Sequence, residues 1–371
     1  MPNFDTILHP DFLVPMMPRR KTLTGHSVAV RAGQIAAILP TPDAQAADAG
    51  EHIELPGCAL MPGLINLHCH AAMSLLRGYA DDLSLMTWLQ RYIWPTESHF
   101  ISPEFVRDGS ELAIADLLMG GTTTLVDQYF FPEVTAEAVD RCGLRALLTF
   151  PVIDVETAWA RDAESCINRG LALRDQYRDH DRIDVGFGPH STYMVSEGTL
   201  ARVAMLAEEL DAHVHIHLHE TRDEVLASVE RSGVRPIDFL DQVGLLGPRT
   251  QCVHMTALGD QDIETVATHG AHVVHCPRSN LKLGAGICPV QKLLDRDITV
   301  ALGTDGAASN NRLSMLGELQ TASLIGKSQH GDPKAVDAWT ALEMATWHGA
   351  AALGLQDQLG SIEVGKAADL I

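Results

Sequence analysis

No lysine occurs between Lys21 and Lys282, and the 371 residues carry 27 Lys and Arg against 48 Asp and Glu, a formal net charge of −21. Nucleic-acid recognition needs clustered cations. The densest basic run, Arg19-Arg20-Lys21, is short and reads as a solvated turn, so no nucleic-acid partner is expected. Long apolar runs are also missing: no stretch of about 18 residues escapes polar interruption, so no membrane span is expected. The seven cysteines contain no C-x-x-C pair, and an odd, scattered set in a large chain reads as reduced, buried thiols. The opening residues Met1-Pro-Asn-Phe-Asp5 lack the basic and apolar regions of a signal peptide, and a cytoplasmic location is expected.

What is present is a large core. Hydrophobic residues make up 46% of the chain, and mean hydropathy is +0.03. Residues 1–56 hold short strand-like runs at Asp5–Leu8, Ser27–Ala32 and Gln34–Leu39 between Gly, Pro and charged turns, a small β domain. From about residue 57 the pattern becomes strand then helix, repeated to about residue 358. The strands are expected at Leu60–His68, Thr122–Asp127, Arg145–Pro151, Asp184–Pro189, His213–His219, Gln251–Met255, His272–Cys276 and Ile298–Thr304. Helices are expected between them, among them 103–119, 158–177 and 222–232, with two more at 313–328 and 335–353. The Ala-rich patch Ala44–Ala49 reads as a surface loop. Eight such units predict an α/β fold, a (β/α)8 TIM-like barrel. An open doubly wound sheet is the runner-up, but no Gly-rich phosphate fingerprint follows the first strand. Residues 359–371 read as a turn entering a strand that returns to the β domain, and its partners are expected within residues 1–56.

His68, Cys69 and His70 close the first barrel strand. Strand side chains alternate, so His68 and His70 point one way and Cys69 the other. Two imidazoles at one strand end can share a divalent cation, though alone the pair reads equally as two ordinary surface or core histidines. Metal-type residues then recur at the ends of later strands: His217 with Glu220, His254, and Asp305. Catalytic groups of such barrels sit at these ends. Three imidazoles and a carboxylate suit one divalent ion, zinc first among the candidates, with one coordination position open to water. Such an ion acidifies water, and Glu220, His254 and Asp305 could move the protons of a hydrolysis. Period two alone leaves the strand-five ligand open, because His213, His215, His217 and His219 share one face of an ideal strand.

The stretches Pro62-Gly-Leu-Ile-Asn-Leu-His-Cys-His70, Gly121-Thr-Thr-Thr124, Gly186-Phe-Gly-Pro-His190, His217-Leu-His-Glu220, His275-Cys-Pro-Arg-Ser-Asn280 and Gly303-Thr-Asp-Gly306 resemble the amidohydrolase superfamily, in its cytosine deaminase-like branch. The resemblance implies metal ligands His68, His70, His217 and Asp305. It implies Glu220 as proton shuttle, His254 orienting the attacking water, and Asp305 as general base. Two-metal members use a carboxylated lysine on strand four, and the lysine gap implies one metal here. It also implies a homo-oligomer and further strands beyond Ile371, so the C-terminal return is expected to be incomplete.

Within that branch, Ser74-Leu-Leu-Arg-Gly78, Leu85-Met-Thr-Trp-Leu89 and Ile93-Trp-Pro-Thr-Glu97 resemble the 5′-methylthioadenosine/S-adenosylhomocysteine deaminases. This implies a nucleoside substrate and hydrolytic conversion of an adenosine to its inosine analogue plus ammonia. Trp88 would pack on the ligand, Glu97 would accept from the ribose hydroxyls, His190 would contact the nucleoside and Arg161 could reach its tail. Trp88 as core and Glu97 as a solvated helix residue are the plainer readings. Ser279 and Asn280 are expected to shape the strand-seven loop, and His275 to be structural. A guanine, cytosine or triazine hydrolase is the first alternative function, and a non-catalytic scaffold is the second.

Overall fold

Residues 64–69 are buried on every side chain, the pattern of a parallel strand covered on both faces. The computed structural model describes residues 2–371 and places this strand, β5 (Leu64–Cys69), at one end of an eight-stranded parallel sheet. The order continues through β6 (Thr122–Asp127), β7 (Arg145–Val152), β8 (Ile183–Pro189), β9 (Val214–Leu218), β10 (Thr250–His254), β11 (His272–His275) and β12 (Val300–Leu302). The ends meet: Asp305 N–H donates to His68 O at 3.0 Å, and the Asn66 amide makes two hydrogen bonds with Thr304, at 2.8 and 2.9 Å. A Cβ on Gly303 would lie 2.7 Å from His68 Cβ, so this seam admits only glycine. The fold is a (β/α)8 barrel with helices between its strands.

Helix boundaries follow local chemistry. Ser102 caps 103–119 by accepting from Phe105 N–H, with Pro103 in the first turn, and Thr221 caps 222–232 by accepting from Glu224 N–H. The helix expected over 158–177 instead begins at Ala163, because Asp162 accepts from Ser165 N–H and the Ser165 hydroxyl answers. The single helix expected over 335–353 is two, Ala338–Ala345 and Trp347–Ala352, broken where Thr346 leaves helical geometry.

A second sheet has the order β3-β2-β1-β4, from β1 (Phe4–Leu13), β2 (His26–Arg31), β3 (Gln34–Pro40) and β4 (Ala49–Leu60). β1 pairs antiparallel with β2 and parallel with β4. β4 had no counterpart among the expected strands: its side chains are largely exposed and it lacks apolar alternation. Ala49 opens that strand and Ala44 is buried in a short helix, so the Ala-rich patch is not a loop throughout. Leu60 ends β4 rather than opening the first barrel strand. The C-terminal residues pair where expected and elsewhere too. Ala368 N–H donates to Gly33 O and Ile35 N–H to Lys366 O, while Ile371 and Met61 exchange two backbone bonds. Leu13, Val28, Ile35, Leu60 and Ile362 form the small apolar core beneath.

Candidate active site

The barrel carries its histidines to one mouth. His68 lies on β5 with His70 just beyond it, His217 on β9 with Glu220 after it, His254 ends β10, and Asp305 follows β12. One ligand atom each from His68, His70 and Asp305 lies within 4.8 Å of the others, and the same holds for His68, His217 and His254. Asp305 Oδ1 is 3.4 Å from His68 Nε2 and 3.3 Å from His70 Nε2. His254 and Asp305 have left-handed backbones, φ 76° and 62°, conformations that cost energy in non-glycine residues and recur at functional sites.

His68, His70 and His217 each present a bare nitrogen. The Gln251 amide donates to Ala352 O at 3.1 Å, so its Oε1 accepts from His215 Nδ1–H at 2.7 Å. His215 Nε2 must then accept from His68 Nδ1–H at 2.7 Å. His68 Nε2 is left with a lone pair, buried and without a hydrogen-bond partner. His70 Nδ1–H donates to Gln128 O at 2.6 Å and His217 Nδ1–H to His190 O at 2.8 Å, which leaves their Nε2 atoms bare as well. Burial pushes the pKa of His68, His215 and His217 down, so these rings are neutral. Burial alone would raise the Asp305 carboxyl; in the state where the facing rings carry the proton, hydrogen-bond donation from His68 and the charge on His70 outweigh burial and hold it well below the usual range. Converging neutral imidazole lone pairs beside an ionised carboxylate fit a divalent cation, and the orphaned His68 Nε2 is the clearest mark of that fit.

The four strand-five histidines do not share one fate. His215 belongs to the relay just described. His219 has a left-handed backbone, φ 51°, and turns out of the strand's plane. Its Nε2 accepts from Ile237 N–H and its Nδ1–H donates to Ala257 O, so its role is structural. His213 precedes the strand.

Around the group is a cavity of about 740 Å³, lined at its deep end by His70, His217, Glu220, His254 and Asp305. Glu220 Oε1 lies 3.6 Å from His254 Nε2. Burial, then the Asp305 and Glu224 charges, raise its pKa well above the usual carboxylate range. His190 also lines the wall, and burial lowers it to about 4. Trp88 is 5% exposed; it packs into the main apolar cluster and also lines the cavity. Glu97 is half-buried in the wall; burial raises its carboxyl to about 7, against the hydrogen bond that Tyr129 Oη donates at 2.7 Å. Arg161 is not in the wall. Its side chain is 82% exposed and its Nε sits 3.2 Å from Asp162 Oδ2, because the Asp162 cap turns the preceding residue outward.

Several site residues escaped the sequence. Gln128 and Tyr129 follow β6 directly, and their place just past a barrel strand end was the available signal. Ser279 Oγ donates to Asp305 Oδ2 at 2.6 Å, and Asn280 Nδ2 lies 3.0 Å from His254 Nδ1, so the segment expected only to shape a loop touches two site residues. Gln251 carried no signal outside the fold, and His215 stood out only as one of four candidate strand-five ligands.

The amidohydrolase family profile matches residues 59–371. A 5-methylthioadenosine/S-adenosylhomocysteine deaminase of Teredinibacter turnerae is 51% identical over 370 residues, covering 100% of this chain and 84% of the relative. A 5′-deoxyadenosine deaminase of Methanobrevibacter smithii is 41% identical, covering 99% and 83%. A crystal structure of an adenosine deaminase from Xanthomonas campestris with bound zinc superposes with a TM-score of 0.97 at 47% identity, covering 99% of this chain and 84% of that one. A match across most of the chain, joined to this set of strand-end residues, settles the relationship: the chain belongs to the amidohydrolase family.

Proposed function

We propose that this enzyme is a metal-dependent deaminase of adenosine-type nucleosides, taking 5′-methylthioadenosine, S-adenosylhomocysteine or adenosine with water to the inosine analogue and ammonia. The observation that carries the reading is the set of bare Nε2 atoms on His68, His70 and His217, gathered with Asp305 beside a cavity whose wall holds Glu97. The related deaminases of adenosine-type compounds support it.

His68, His70, His217 and Asp305 would hold one ion, zinc in this reading, which when bound supplies positive charge that acidifies water at neutral pH. The residues do the rest. Glu220, protonated in its buried position, gives its proton to ring N1 as water adds at C6. Asp305 takes the proton that the water sheds, and His254 holds the water's orientation. Return of protons through Glu220 and Asp305 lets the amino group depart as ammonia. Trp88 would pack on the nucleoside, His190 would meet its purine or ribose, and the Glu97 carboxylate would accept from the diol, a role that suits an acceptor-only group. Arg161 would reach a substrate tail only after leaving Asp162.

No helix is long and apolar enough to cross a membrane. A cytoplasmic location and a homo-oligomer complete the reading, as does a division into a β unit (1–56 with 359–371) and a barrel (57–358).

The test is the loss of adenine absorbance with adenosine, methylthioadenosine and S-adenosylhomocysteine, beside guanine, cytosine and a triazine, with metal assayed on the same sample. Turnover of the adenosines, lowered roughly 10²- to 10⁴-fold by Glu220→Gln with metal retained, is expected. Turnover confined to the bare rings would replace the substrate, and absence of both metal and turnover would leave a non-catalytic scaffold.

A further inference from the structure

Glu220 sits in a turn whose main chain is bound on both sides by side chains. Its N–H donates to Glu224 Oε2 at 2.7 Å, and the neighbouring His219 N–H donates to Glu224 Oε1 at 3.2 Å. Its carbonyl accepts from the Thr256 hydroxyl at 2.7 Å. The same hydroxyl stands 3.2 Å from Ala285 O, and having one proton it serves the shorter contact. Thr256 and Ala257 N–H both donate to His219 O, which ties the turn to the segment after β10.

This is not an ordinary helix cap. A Glu at the third helical position commonly reaches back to the N–H of the cap residue. Here the cap is Thr221, and Glu224 reaches past it to the two residues before. Both of its oxygens are committed to main-chain N–H groups that belong to no helix. The helix gains little that the Thr221 hydroxyl does not already give it. What gains is the turn, where His219 is left-handed at φ 51° and Glu220 must aim its carboxyl at the cavity. Charge-assisted bonds to backbone N–H are among the stronger ones, and fixed orientation matters because an error of about 1 Å can cost on the order of 10²-fold in rate.

We propose that Glu224 and Thr256 are positioning residues for Glu220: the Glu224 carboxylate at its N–H and the Thr256 hydroxyl at its carbonyl hold the Glu220 main chain and set where its carboxyl meets the substrate. This rests on Glu220 as the proton carrier of the reading above.

The experiment is a double-mutant cycle on the metal-loaded enzyme, with methylthioadenosine as substrate and metal content and amide hydrogen exchange measured on each protein. Glu224→Ala is expected to lower kcat roughly 10- to 100-fold with KM nearly unchanged, and to speed exchange at residues 219 and 220. Thr256→Val should act in the same direction, and Thr256→Ser, which keeps the hydroxyl, should restore the rate. In a Glu220→Gln background, Glu224→Ala should cost almost nothing further. An equal loss in both backgrounds, or a wild-type kcat in Glu224→Ala and Thr256→Val, would overturn the proposal. If Glu224→Ala does not fold, Glu224→Gln, which keeps one acceptor oxygen, enters the same cycle with the same two outcomes. Full activity in Glu220→Gln alone would instead sink the underlying role of Glu220.

Discussion

His215 Nε2 lies 2.7 Å from His68 Nδ1, and that contact decides which nitrogen of His68 is bare. His215 is itself fixed by Gln251, so a buried amide two hydrogen bonds away sets the tautomer of a proposed ligand. Removing the acceptor without removing the ring volume should therefore cost metal. His215→Phe is expected to weaken zinc binding by roughly 10- to 100-fold, the usual effect of losing an outer partner of a ligating histidine. Competition against a chromophoric chelator measures it, and unchanged affinity would mean that His68 keeps its tautomer unaided.

Glu97 is the cavity group best suited to a diol. Replacing it with Ala should raise KM for methylthioadenosine roughly 10- to 100-fold, the worth of one charged hydrogen bond, with kcat less affected. Because burial raises its pKa to about 7, the wild-type KM should fall as pH rises through that value, since the ionised form is the better acceptor. Glu97→Gln should abolish that pH dependence. A KM indifferent to both substitutions would remove the ribose from the reading.

The cavity wall holds Glu97 and Glu156 and, among the described residues, no Lys or Arg. An anionic 5′ group therefore meets acidic neighbours and no cation. Methylthioadenosine should exceed adenosine 5′-monophosphate in kcat/KM by roughly tenfold or more, a difference of about 1.4 kcal/mol. S-adenosylhomocysteine, whose tail carries both charges, should fall between them. With Arg161 turned outward, Arg161→Ala should leave this order unchanged; collapse of S-adenosylhomocysteine turnover in that variant would show that the side chain swings in.

Stability should carry its own pH dependence through Glu318. This buried carboxyl accepts from Asn310 Nδ2 at 2.8 Å and from Arg278 N–H at 3.2 Å, yet burial raises it to about 8. In the unfolded chain it titrates at its ordinary lower value, so the folded state binds the extra proton between the two. Stability from this group is full at low pH and is lost as pH rises towards 8, on the order of 1.4 kcal/mol per pH unit at most. Glu318→Gln should flatten that slope in denaturant titrations between pH 5 and about 8. A slope equal to wild type would place the dependence elsewhere.

Much of the fold was legible because its signals are local. Thr122–Asp127 stands where its β-branched run put it, and the helix 103–119 has the bounds expected for it. β4 was missed because its side chains are mostly exposed, and nothing in its composition marks a strand that is held through its backbone to β1. Helix 163–176 starts late because a cap, not an apolar pattern, sets its beginning.

The barrel, and the arrival of His68, His70, His217, Glu220, His254 and Asp305 at strand ends, follow from the order of residues along the chain. Alternation along a strand and the turn after it are set by neighbouring residues, so short motifs suffice to specify them. Which nitrogen each histidine offers, the departure of His219 from the site and the hydroxyl that holds the Glu220 carbonyl emerge only in the folded barrel. Those outcomes depend on hydrogen-bond partners far along the chain: 147 residues separate His68 from His215, 58 separate His70 from Gln128, and 36 separate Glu220 from Thr256. A proton's position on an imidazole follows from the group across the contact, and that group exists only once the barrel has closed.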